Sequence, residues 1–514
     1  MEGILDNLLT LIVFLPLAGA LLLLLLPDDM KGLHRWLALG VSLVTLGLVL
    51  VAWLNYDRVD AGLQYEVMAP WFPQIGASFH MAADGISLSM LLLTGILTPL
   101  ALLTSFNIEE RVKLYMFLFL VMETALLGVF VSMDLILFFV FWEFGLVPMY
   151  FLIRMWGGTD RRYASFKFII YTMAGSLGLL LAIQVIGLST GTFDIPQLLD
   201  SWVSIGAGDA LQGSGLPAGI FKQVAFWAFV IAFAIKVPIW PFHTWLPDAH
   251  TEAPTAGSMM LAGVLLKLGA YGFIRLVIPL FPEQAMVAAG VLATLGMLSI
   301  VLGGFASFGQ WDFKRLVAYS SVNHMGFVIL GLAVFAWVYG REAAGPGLVT
   351  DAIFGANGAV LQMFNHGLSS AGMFFLVGVI YDRTHTRQLR DYGGLWTVLP
   401  FFGAALIFTS LASLGLPGLN GFVSEFMVVR GAWNVFTIQL ALAMVGLLLT
   451  GAYILKALGF TLHGELNPQW RGLRDMSLRE HLVIWPLMGL MLSVGVWPRW
   501  VLAIINDSVT RLLS

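Results

Sequence analysis

Apolar residues along this chain come in long unbroken runs, not in the one-sided stripe of a surface helix. Each run holds about 20 residues, enough to cross about 30 Å of hydrocarbon as a helix. The runs lie at about 4–26, 33–54, 84–105, 114–132, 134–156, 164–189, 222–246, 257–279, 284–307, 314–338, 352–381, 396–435, 438–462 and 481–504. They predict an all-α integral membrane protein with about 14 transmembrane helices. The 396–435 segment is about twice the usual span length, so it is expected to be broken or partly re-entrant. The first run lacks a basic leader, is flanked by Glu2 and Asp6, and precedes Pro27-Asp28-Asp29 instead of a small-residue cleavage site. It therefore reads as a retained span. The longest connections, 55–83 and 190–221, are expected at one membrane surface.

Composition supports the count. Hydrophobic residues make up 59% of the 514 positions and charged residues 11%, against about 25% charged in an ordinary soluble domain. A formal net charge of −4 gives no reason to expect nucleic acid. With no cysteine, the chain itself makes no disulfide and no thiolate ligand to zinc or an iron–sulfur cluster. Loop charge orients the spans. The odd-numbered loops carry Lys31, Arg35, Arg111, Lys113, Arg161, Arg162, Lys167, Lys314, Arg315, Arg383, Arg387, Arg390, Arg471, Arg474 and Arg479. The other side carries Arg58, Lys222, Arg275, Arg341, Arg430, Arg499 and Arg511. Positive charge collects on the cytoplasmic side, so both termini are expected outside.

Ionisable residues also sit inside the runs, where a charge costs at least ~2.5–3.5 kcal/mol at the centre of the bilayer. Glu123 falls in the fourth span, Glu143 in the fifth, Lys236 in the seventh and Lys267 in the eighth. His324, His366 and Glu425 fall in the tenth, eleventh and twelfth. Each has a plainer reading: Glu143 and Lys236 as a structural pair, the histidines as neutral packing groups, Glu123 as a hydrogen-bonded interior carboxyl. Lys456, near a span end, reads best as snorkelling to the surface. The set is harder to explain by packing. Acid, lysine, lysine, histidine, histidine, acid on successive spans makes a row that can hand on protons. His243, Asp248, His250 and Glu252 are of metal-ligand type, but they stand beside a broken helix and read better as its caps.

Two spans look discontinuous. Pro238 and Pro241 follow Lys236, and Leu414 to Gly421 reads LGLPGLNG. Neither stretch continues a regular helix. Broken spans five apart are what two inverted five-helix repeats would give, spans 4–8 and 9–13. The expected divisions are 1–110 for three leading spans, 111–280 and 281–465 for the repeats, and 466–514 for an amphipathic stretch with the last span.

Several segments carry a specific resemblance. They are Trp142-Glu143 with Pro148, His243 to His250 (HTWLPDAH) with Ala253-Pro254-Thr255, Lys314 to Ser321 (KRLVAYSS), His324-Met325-Gly326, His366-Gly367, and Tyr381 to Arg387 (YDRTHTR). Spread over about 80–430, they resemble the M subunit (chain 4) of respiratory complex I, an antiporter-like proton-pumping subunit of NADH:quinone oxidoreductase. The resemblance implies a relay of Glu143, Lys236, Lys267, His324, His366 and Glu425. Sibling subunits usually carry lysine where Glu425 stands, which favours the M type. It further implies no cofactor or metal on this chain, with FMN and iron–sulfur clusters on partner subunits and quinone at another. The partners would be other membrane-arm subunits, including two antiporter-like siblings, in a bacterial plasma membrane. A subunit of a cation/proton antiporter or of a membrane hydrogenase would share most of these motifs. A passive scaffold with paired charges is the third alternative.

Overall fold

The computed structural model describes residues 7–211, 217–341 and 344–513. Glu2, Asp6 and the first residues of the expected 4–26 span lie outside them. Hydrocarbon offers no hydrogen bonds, so a spanning segment must satisfy its own backbone, and helices dominate. Twelve helices among the described residues are long and apolar enough to cross a membrane. A bent pair, Leu478–Val496 and Arg499–Leu513, makes thirteen if counted as one span. The expected twelfth span accounts for the remaining difference. It is two shorter helices, Pro400–Leu414 and Asn420–Ala432, interrupted at Gly415 to Leu419. Gly415 and Gly418 sit in the left-handed region, with φ of 81° and 94°, which few other residues adopt without strain.

The last span differs from expectation. It ends at Val496, not near 504, and turns by 65° into Arg499–Leu513. Pro498 has no N–H to carry the helix on. The amphipathic stretch thus follows the last span. The loop 55–83 holds the one sheet of the described residues, a hairpin pairing Gln64–Phe72 with Ala77–Ala83. The two long loops, expected only to share a membrane surface, also touch one another. His80 on the hairpin contacts Asp194 of the second loop, with Nδ1 2.5 Å from Oδ2. Asp134, at the start of the fifth span, accepts the Ser78 N–H at 2.9 Å. Arg58 pairs with Asp507 at 2.9 Å, so the C-terminal helix docks on the same face.

Position in the bundle decides which residues can carry charge. The eighth span (Thr255–Leu280) and the eleventh (Pro346–Thr384) are enclosed by protein all along their apolar windows, and the tenth (Phe313–Tyr339) nearly so. The first, second, sixth and thirteenth turn most of their surface outward. Lys267, His324 and His366 therefore sit on the enclosed helices, away from lipid. Spans eight and eleven come very close at Gly263 and Gly367. A Cβ on Gly367 would lie 2.9 Å from the Gly263 carbonyl oxygen and 2.6 Å from Leu93.

Candidate functional site

The fifth span, Leu135–Trp156, breaks locally at Gly145. Pro148 explains this, because its ring crowds the carbonyl one turn back and leaves it without a donor. Glu143 stands just before the break. It is half-buried, and its Oε1 has no hydrogen-bond partner. The seventh helix, Ala218–Lys236, stops at Lys236 as Pro238 and Pro241 require. The freed backbone is satisfied from outside the helix. Trp245 Nε1 donates to Ile235 O at 2.9 Å, and Trp240 N donates to Ser299 Oγ at 2.9 Å. Lys236 is buried with no hydrogen bond to Nζ, which lies 4.8 Å from the centre of the Trp142 ring. Glu143 is the carboxylate whose charge reaches it, but no ion pair joins the two. The expected ion pair is thus not closed in this structure.

Lys267 is fully buried. Its helix departs from α geometry on both sides, with wider π turns at Leu261–Leu265 and Phe273–Val277. Such turns often mark functional positions, and nothing in the run of apolar residues announces them. Lys267 Nζ donates to Ala262 O at 2.5 Å and meets His366 Nδ1 at 2.8 Å. With the lysine donating, the ring proton belongs on Nε2, an atom without a partner. The His324 ring is 5.6 Å away between centroids, and the two rings line one narrow crevice. His324 Nδ1 then donates to Glu425 Oε1 at 2.9 Å, while Tyr453 OH lies 3.3 Å from Nε2.

Sequence reasoning missed the groups that hold Glu425. Gln362 Nε2 donates to Glu425 Oε1 at 3.0 Å, and Ser424 Oγ donates to Gln362 Oε1 at 2.5 Å. Asn365 donates to Asn420 O at 2.7 Å, and Asn420 donates back to Asn365 O at 3.1 Å, tying the eleventh span to the break in the twelfth. The available signal was amides and hydroxyls recurring on one face of otherwise apolar helices.

The remaining candidates go elsewhere. Glu123 is fully buried with neither carboxylate oxygen bonded. Lys456 donates to Phe308 O at 2.7 Å and Gln310 O at 2.8 Å, near the end of its span, as snorkelling requires. Asp248 pairs with Lys167 at 2.6 Å and Arg315 at 3.1 Å. Glu252 accepts the Asp160 N–H at 2.8 Å. His243 faces Tyr319 with ring centroids 6.1 Å apart. These residues splay to separate partners around the broken helix and do not converge.

The arrangement joins Lys267 to His366 and His324 to Glu425, with one gap between the rings and another between Lys236 and Lys267. Residues 132–450 match the family model described as NADH:quinone oxidoreductase/Mrp antiporter, transmembrane. The chain is similar to the Rhodobacter capsulatus protein named NADH-quinone oxidoreductase subunit M, at 39% identity over 99% of this chain and 97% of the relative. Its structure is similar to a chain of Thermus thermophilus respiratory complex I with bound NADH. The TM-score is 0.84 at 30% identity, covering 98% of this chain and 100% of that one. A chain of the Mrp complex from a Dietzia species shares the fold, with a TM-score of 0.82 at 20% identity, covering 99% and 98%.

Proposed function

The chain belongs to the NADH:quinone oxidoreductase/Mrp antiporter family, as a subunit M (chain 4) member, and from that premise we propose how its buried residues move protons. It is an antiporter-like membrane subunit of a proton-translocating NADH:quinone oxidoreductase. Glu143 and Lys236 form a gate whose opening and closing changes the field at Lys267. Lys267 passes a proton to His366, His324 receives it, and Glu425 releases it to the far side. Each charge moved against 100 mV costs about 2.3 kcal/mol. Redox chemistry on partner subunits supplies that energy, with FMN, iron–sulfur clusters and the quinone site placed there. Spans 4–8 and 9–13 act as inverted repeats, one per half of the path. The neighbours are the sibling antiporter-like subunits, in a bacterial plasma membrane with both termini outside.

The observation that carries this reading is the Lys267–His366 contact at 2.8 Å, across two enclosed helices far apart in sequence. A scaffold would bury a salt bridge there. This structure buries a lysine against an imidazole, a pair that holds a transferable proton and no net ionic bond. A cation/proton antiporter subunit has the same fold, and Glu425 in the twelfth span speaks for the redox-coupled type.

Glu143→Gln keeps the shape and removes the charge. In inverted vesicles with the complex assembled, we expect NADH oxidation by quinone and proton uptake to fall together, by at least about tenfold. Wild-type rates of both would break the relay at its first link.

A further inference from the structure

Trp142 has no part in the relay above, although it stands next to Glu143 on the chain. It is 1% exposed, and its ring is held by three neighbours. Nε1 donates to Ser176 Oγ of the sixth span at 3.0 Å. Phe138, one turn earlier on the same helix, stacks on it with centroids 5.8 Å apart and planes 23° apart. Phe233, one turn before Lys236 on the seventh helix, meets it edge on, at 5.2 Å and 72°. For an indole that only filled the core, this packing would be the whole account.

One contact is left over. Lys236 Nζ lies over the ring, 4.8 Å from its centre, with no hydrogen bond of its own. That is inside the distance of about 6 Å at which the negative face of an aromatic ring attracts an ammonium, and tryptophan has the strongest such face. The attraction grows where water is absent, and both groups are buried. Glu143, the other group able to hold the lysine, is half-buried and its Oε1 is free. An ammonium buried with no partner is strongly disfavoured. A gate built on Lys236 therefore needs a second resting place for the charge when the ion pair opens. Successive residues on a helix point about 100° apart, so rotation of the lysine side chain can carry Nζ from one to the other.

We propose that Trp142 is the second seat of Lys236: the indole face holds the ammonium whenever Glu143 lets go, so the lysine alternates between carboxylate and ring. The inference rests on the gate reading of Glu143 and Lys236 and gives the open state its partner. Trp142 is thus a positioning residue, and Ser176 keeps its ring turned. No covalent bond forms or breaks, and Lys236 keeps its proton throughout. What changes is the field. A ring carries no net charge, so the charge of Lys236 is cancelled at the carboxylate and uncancelled at the ring. That difference is what the gate presents to Lys267.

The test places tryptophans with one to four ring fluorines at position 142, in the assembled complex in inverted vesicles. Fluorine withdraws charge from the ring face step by step, while the shape and the N–H to Ser176 remain. NADH oxidation by quinone and proton uptake are followed together. We expect both to fall with each added fluorine, to about a tenfold loss at four. A packing role would not follow fluorine number. Trp142→Leu, apolar and without a π face, should lose at least as much. Should it fail to assemble, the fluorinated series still decides. Native rates across the whole series would overturn the proposal. If Glu143→Gln is then still inactive, the gate stands and only the role of the ring falls. If it too runs at the wild-type rate, both fall.

Discussion

Glu425 accepts from both His324 and Gln362, whereas Lys236 meets only the face of Trp142. The difference is informative, because a buried charge left without a partner is strongly destabilising. At the residue scale the sequence named all six relay candidates, since a charged letter in an apolar run is visible by itself. It could not name Gln362, Ser424 or Tyr453, whose polarity is cheap enough to be common in helices. One further residue outside the spans carries a pH effect. His80 lies between Asp194 at 2.5 Å and Glu66 at 2.9 Å. Burial pulls its pKa down, but the two carboxylates outweigh it and hold the pKa above the usual value. Its stabilisation of the hairpin is therefore complete below the free-histidine pKa of about 6.5 and is lost as pH rises through the raised value. Amide exchange in residues 77–83, corrected for intrinsic rate, should accelerate over that rise. His80→Gln should remove the pH dependence. Equal protection across the range would show that the docking is uncharged.

At the scale of the element, prolines and glycines were the legible signals. Pro238 with Pro241, and Gly415 to Gly421, end or break helices where the sequence indicated. The π turns around Lys267 were not legible, because an extra residue in a turn leaves no mark in a run of apolar residues. The same holds for the 65° bend at Pro498, where a proline was visible but the new direction depends on what the helix docks against. Close packing of spans eight and eleven makes a direct prediction. Gly367→Val would press on the Gly263 carbonyl and Leu93 and separate Lys267 from His366. We expect a loss of about 1–3 kcal/mol in the stability of the assembled complex. Proton uptake should fall by more than that loss of assembled complex. A complex that assembles and pumps at wild-type rate would mean the contact is dispensable.

Across the whole molecule, loop charge and span count together predict a topology that can be tested cleanly, because the chain has no cysteine. Val59, 96% exposed between the second and third spans, and Arg471, exposed in the last odd-numbered loop, stand on opposite faces. In intact cells an impermeant maleimide should label Val59→Cys. Arg471→Cys should react only after permeabilisation. The reverse pattern would invert the orientation and with it the direction of the relay.

The sequence by itself determined the class, the number and rough limits of the spans, the broken helices and the identities of the buried charges. These are local matters: hydrocarbon thickness sets a length, a missing N–H ends a helix, and a charge in an apolar run must face inward. Only the tertiary structure decided which of those charges meet. Lys267 touches His366 because two glycines let two helices close, and His324 reaches Glu425 because a break in the twelfth span turns its second half toward the tenth. Such contacts join residues about a hundred positions apart. They depend on how helices pack against one another, which the order of residues along any one helix does not state.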